Sequence, residues 1–200
     1  MTPEAYLVLH NIQGRGNFGT LLRNACAFGV TTVLVVGEAK MKTFGNQGTL
    51  SHMTLLHFPS LLEAKEWLAA RSISLVGVEI LPEAKPIQSQ AFCGSTAFML
   101  GNEGTGMTER QKSVCDEFVF IPQYGRGTAS LNVAVAGSIC LHHFGLWAGF
   151  AETAREGEKY VVAEPRPKLD AYQHPTEAEA AVIEKKRAMR RQNHDWTANI

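Results

Sequence analysis

The 200-residue chain lacks net charge. Its 19 Lys+Arg balance 19 Asp+Glu, which excludes a strongly basic nucleic-acid coat but allows a local basic patch. It also lacks paired cysteines. Cys26, Cys93, Cys115 and Cys140 are far apart, with no C-x-x-C and no Cys/His spacing suited to zinc, so free thiols in a reducing compartment and no metal site are expected. No basic n-region precedes the first apolar run, so no signal peptide is expected. The most apolar long stretch, 133–150, carries His142 and His143 and reads as a buried helix rather than a membrane span. There is no internal repeat, no low-complexity tract and no G-x-x-x-x-G-K-[ST] phosphate loop. Cytoplasm is the default location, with nucleus or organelle left open.

What is present is enough apolar sequence, 45 %, for a real core. Short β-branched or aliphatic runs at 6–10, 31–36, 55–58, 74–80, 96–101 and 117–122 predict strands. Between them, helices are predicted at 20–28, from the Ser60-Leu-Leu-Glu63 capping box to 71, from the Thr108-Glu-Arg-Gln111 box to 115, and over 131–150. Strands alternating with helices predict an α/β fold with a mostly parallel sheet flanked by helices. Near-continuous apolar strands fit a sheet covered on both faces. The composition shifts after 151, dividing the chain into a domain at 1–151 and an extension at 152–200. In the extension, 157–175 holds Pro165, Pro167 and Pro175 and reads as a linker. Thr176-Glu-Ala-Glu179 caps a last helix to about Gln192, whose Lys185, Lys186, Arg187, Arg190 and Arg191 form either a solvated face or a phosphate contact.

Gly14-Arg-Gly-Asn-Phe-Gly19 matches G-x-G-x-x-G after a strand and before a helix, with Glu38 at the end of the next strand. That is the context of a dinucleotide fingerprint, so an NAD-binding oxidoreductase is one alternative. Against it, a Rossmann enzyme requires neither Asn17 nor Arg23, and the densest Gly/polar segments lie in the second half. One is Leu100-Gly-Asn-Glu-Gly-Thr-Gly106, at a strand end, where three glycines allow a sharp turn or close backbone approach to a ligand and Glu103 is the only charge. The other is Ile121-Pro122 through Gly125, Arg126 and Gly127 to Ser130-Leu-Asn132, at the start of the long helix. Ser130 and Asn132 are helix N-cap types, and backbone donors there suit a polar ligand head.

Asn17-x-Gly19-x-x-x-Arg23, Leu100-Gly-Asn-Glu-Gly-x-Gly106, and Ile121-Pro with Ser130-Leu-Asn-Val-Ala-Val-Ala136, in this order, closely resemble the SpoU (TrmH-like) family of the SPOUT superfamily, the ribose 2'-O-methyltransferases of tRNA and rRNA. The resemblance covers roughly residues 5–150. It implies a deep C-terminal trefoil knot and a metal-free S-adenosylmethionine pocket at Val78, Glu79, Leu100, Gly101, Ile121, Pro122, Ser130 and Leu131. It implies catalytic roles for Arg23, Asn17, Glu103, Ser130 and Asn132, with Arg23 clamping a substrate phosphate and stabilising the nascent oxyanion. RNA contacts are then expected from Arg23, Arg126 and the basic cluster 185–191, and the protein is expected to be a homodimer. Many relatives carry an N-terminal RNA-binding domain, which is expected to be missing here. A non-catalytic RNA-binding or assembly protein on the same fold is the other alternative.

Overall fold

A computed structural model describes residues 2–12, 15–37, 48–89, 92–102 and 104–164. The elements run β1 (Ala5–Leu9), α1 (Arg15–Ala27), β2 (Thr32–Val36), β3 (Thr54–Phe58), α2 (Leu61–Ala69), β4 (Ser74–Val78), β5 (Lys85–Pro86), β6 (Thr96–Leu100), α3 (Glu109–Lys112), β7 (Glu117–Phe120), α4 (Val133–Ala148), β8 (Arg155–Glu156) and β9 (Lys159–Tyr160). Seven strands form one sheet in the order β3-β2-β1-β6-β4-β7-β5, and every pairing in it is parallel.

The apolar strand sequences follow from this placement. β1 and β6 sit inside the sheet and are buried at all five positions, so neither face of either strand needs a polar residue. Leu7 and Leu9 face a core with Leu21, Leu22 and Phe144, while Tyr6 and Val8 face a second core with Leu61, Leu68 and Met107. α1 buries Phe18, Leu21, Leu22 and Ala25, an i, i+3, i+4, i+7 stripe. It packs on α4, which approaches closely because a Cβ on Gly137 would lie 2.8 Å from Leu21 Cδ2. Asn24 Nδ2 donates to Ser138 Oγ at 2.7 Å across the same contact. Asn132 caps α4 by accepting from Ala134 N (2.9 Å) and Val135 N (3.4 Å), and Gly149, at φ +66°, ends it.

Two expectations are corrected, and one strand was not expected. Gly16 and Gly19 do not form a turn, because α1 begins at Arg15 and takes both into its first turns, where it buries Phe18. The two-residue strand β5 has no sequence signal, since Lys85-Pro86 is short and carries a proline. The linker expected from 157 instead starts as an antiparallel hairpin, β8–β9, turning at Gly157 with φ +58°. Glu38, the linker beyond 164 and the last helix lie outside the described residues. Among the described residues no helix is long and apolar enough to cross a membrane, and no group of acidic, His or Cys side chains could hold a metal.

Candidate functional site

The carboxyl ends of β4, β6 and β7 open into one cavity of about 350 Å³. That is the edge at which open parallel sheets bind ligands, and the size suits a small molecule. Val78, Leu100, Ile121, Leu131 and Val133 give it aliphatic walls, and Glu79, Asn102, Thr105, Gln123 and Ser130 supply polar groups. Among the described residues no Lys or Arg lines it.

One wall is a turn built by buried polar groups. The backbones of Asn102 and Gly106 exchange two hydrogen bonds of 2.9 Å. Asn102 is 8 % exposed, and its Oδ1 accepts from Gly104 N at 2.9 Å and Thr105 N at 3.3 Å. Glu79 Oε2 accepts from Met107 N at 2.7 Å, and Glu79 Oε1 from Ile80 N at 3.2 Å. Two glycines make this fit possible. A Cβ on Gly101 would lie 2.5 Å from the Gly106 carbonyl carbon, and one on Gly106, at φ +68°, would lie 2.7 Å from Glu79 Oε2.

The opposite wall is the chain entering α4. Ser130 and Leu131 line the cavity, and Asn132 follows as the cap. Asn132 Nδ2 also donates to Asn17 Oδ1 at 3.0 Å, which brings the first and third motifs together. Arg23 lies six residues further along α1, a third of a turn round from Asn17, on the exposed side. It has no hydrogen bond or ion pair among the described residues.

The sequence-predicted residues therefore divide. Val78, Glu79, Leu100, Gly101, Ile121, Ser130 and Leu131 line the cavity, whereas Pro122 does not. Pro122 sits one position beyond Ile121 and is half-buried. Arg126 is exposed in the loop 121–132 without lining the cavity. Glu103, Lys185, Lys186, Arg187, Arg190 and Arg191 lie outside the described residues. Sequence reasoning missed Asn102, although Asn-x-Gly is the pattern of a side chain that folds back on its own turn. It also missed Gln123 and Thr105, although both lie inside the two Gly-rich segments. Burial, then Arg110, lowers the pKa of His10, whose Nδ1 is buried without a partner among the described residues, so the ring is neutral at pH 7.

A parallel sheet carrying a small-molecule-sized cavity between two Gly-rich loops defines an α/β domain of ligand-binding architecture. The model of the SpoU rRNA Methylase family matches residues 4–142, and the chain belongs to that family. It is 31 % identical over 150 residues to the 23S rRNA (guanosine(2553)-2'-O)-methyltransferase RlmP of Bacillus subtilis, covering 71 % of this chain and 58 % of that protein. It is 33 % identical over 141 residues to the 23S rRNA (guanosine-2'-O-)-methyltransferase RlmB of Vibrio vulnificus, covering 68 % of this chain and 56 % of that one. The chain thus spans little more than half the length of these relatives. Among solved structures it resembles the SpoU methyltransferase AviRb from Streptomyces viridochromogenes, at TM-score 0.65 and 26 % identity, covering 72 % of this chain and 60 % of that one. AviRb has also been solved in complex with the cofactor AdoMet, and that structure matches at TM-score 0.64.

Proposed function

We propose that the chain binds S-adenosylmethionine in the cavity and transfers its methyl group to a ribose 2'-hydroxyl of tRNA or rRNA. The observation that supports this is the Asn132–Asn17 hydrogen bond at 3.0 Å, which ties α1, the helix that carries Arg23, to the residue that follows Ser130 and Leu131 of the cavity wall. The cavity fits such a cofactor. Aliphatic walls suit an adenine face, and backbone turns held closed by glycine suit its ring nitrogens. Against a dinucleotide, Gly16 and Gly19 are helical rather than a phosphate turn, and no residue of α1 lines the cavity among the described residues.

Val78, Leu100, Ile121 and Leu131 would enclose the adenosine, while Gly101 and Glu79 maintain the turn beside it. The bound cofactor supplies a methyl group on sulfonium, a leaving group good enough to need no metal. Ser130 would orient the methionine end or the ribose, and Asn132 would hold Asn17. Arg23, free to meet a substrate, would clamp a phosphate and stabilise the oxygen that loses its proton, with the proton leaving through phosphate or water. Glu103 would fix Arg23 or Asn17.

The finer architecture belongs to the same proposal. β7 sits between β4 and β5, which only six residues join, yet α4 returns to the far side of β6 to pack on α1. The segment 121–132 must therefore cross back over the strand ends beside the 101–106 turn, which supports a trefoil knot there. Leu146 (67 % exposed), Val135 and Trp147 leave an apolar face on α4, which supports a homodimer. Arg126 and the basic cluster at 185–191 would contact RNA, with 1–151 the catalytic domain and 152–200 an RNA-capturing extension in a cytoplasmic enzyme.

Calorimetry with S-adenosylhomocysteine and with NAD, followed by methyl transfer to bulk tRNA and rRNA, tests this. The expected result is binding of the first ligand only, and transfer that Arg23→Ala abolishes. RNA binding without transfer would favour the non-catalytic alternative, and NAD binding the oxidoreductase.

A further inference from the structure

The proposed function leaves one polar contact unused. Asn102 lines the cavity through the turn it organises, but its Nδ2 points away, donating to the carbonyl of Asn11 at 3.0 Å across 91 residues of sequence. Asn11 is where the chain leaves β1, and its backbone is left-handed at φ +60°. An asparagine tolerates that conformation, and a donor on its carbonyl holds it there. The same segment then leads into α1 and to Asn17, whose Oδ1 accepts from Asn132 at 3.0 Å. Asn132 in turn caps the helix that Ser130 and Leu131 of the cavity wall lead into.

The three motifs are thus joined by two ties, with the cavity between the second and the third. Asn102 ties the second to the strand exit before the first, Asn17 and Asn132 tie the first to the third, and the cavity separates the third from the second. We infer that Asn102 is a positioning residue that makes the placement of Asn17 and α1 depend on the cofactor turn. This rests on the proposed methyl transfer. The amide is matched to the task because it needs both of its ends. Its oxygen holds Gly104 and Thr105, and its nitrogen holds Asn11. A carboxylate could keep the first set of contacts but would set a second acceptor against the Asn11 carbonyl.

Asn102→Asp isolates that tie. It is expected to bind S-adenosylmethionine within about threefold of wild type, with the turn intact, while kcat on RNA falls about 10- to 50-fold, the scale of losing a donor to a part-buried carbonyl. Combined with Asn17→Ala, the loss should not exceed that of Asn17→Ala alone, because both act through one path. A general loss of structure would lower the fraction of binding-competent protein instead and leave kcat per binding site unchanged. In the wild type, adding S-adenosylmethionine should slow amide exchange in 10–20 as well as in 100–107, a measurement that stands even if the variant does not fold. Wild-type kcat in Asn102→Asp, losses that multiply in the double variant, or slowing confined to 100–107 would each overturn the inference alone. A wild type that binds the cofactor but methylates no RNA would overturn the proposed function, and this inference with it.

Discussion

The cavity wall and the outer side of α1 are linked through the Asn132–Asn17 hydrogen bond and built by opposite means. The polar groups of the 101–106 wall are committed to the fold. Gly101 and Gly106 leave no room for a Cβ, and Glu79 and Asn102 spend their oxygens on backbone amides. The outer side of α1 presents Arg23 to solvent with no partner among the described residues. A wall of this kind recognises a rigid, invariant ligand through preorganised backbone, whereas an exposed guanidinium suits a large partner that arrives with its own charges.

Substitutions on the two sides should therefore separate, and the largest effect is expected at Arg23. Arg23→Ala should lower methyl transfer by about 100- to 1,000-fold, the usual scale for one lost transition-state donor. Cofactor affinity and melting temperature should be unchanged, since no contact within the fold is removed. A matching fall in cofactor affinity would mean that the two sides are not distinct. Gly106→Ala should do the reverse, weakening cofactor binding by about 10- to 100-fold in calorimetry and lowering Tm, because a side chain at φ +68° is strained and its Cβ meets Glu79.

Asn132 lies on the seam. Asn132→Ala removes a helix cap worth about 1 kcal/mol, so Tm should fall by about 2–4 °C. Asn132→Asp keeps the accepting oxygen and loses only the donor to Asn17, so it should hold Tm while lowering kcat. The smallest effect concerns acid. Burial, then Arg110, lowers the pKa of His10, so the folded state prefers the neutral ring. The stability this gives is present above the unfolded pKa of about 6.5 and is lost as pH falls through the lower folded value. Urea unfolding should show a decline below pH 6.5 that His10→Asn reduces.

Much of this was legible in the residues. Every strand with a run of β-branched or aliphatic residues was visible, because burial on both faces leaves no reason for polar interruption. Both capping boxes announced their helices, and Ser60 and Thr108 accept from Glu63 N and Gln111 N. The start of α1 was not legible, because glycine at 16 and 19 argues locally for a turn and only packing onto α4 makes it helix. Nor were β5 and the 155–160 hairpin, which are two residues to a strand and too short for periodicity to register. The cavity residues that could be read lie in the two Gly-rich segments or, as Val78 and Glu79 do, at the end of the strand predicted over 74–80. The tie from Asn102 to Asn11 spans 91 positions, and no local pattern carries it.

The position of β7 bears on how the protein is made. A strand ending at Phe120 takes a place between β4, which ends at Val78, and β5, which ends at Pro86. During synthesis the sheet therefore cannot grow outward in the order in which its strands emerge. An opening has to stay vacant until late, with the rims of two earlier strands unsatisfied, so a ribosome that stalls before residue 120 releases a chain with a gap in its interior rather than a shortened edge.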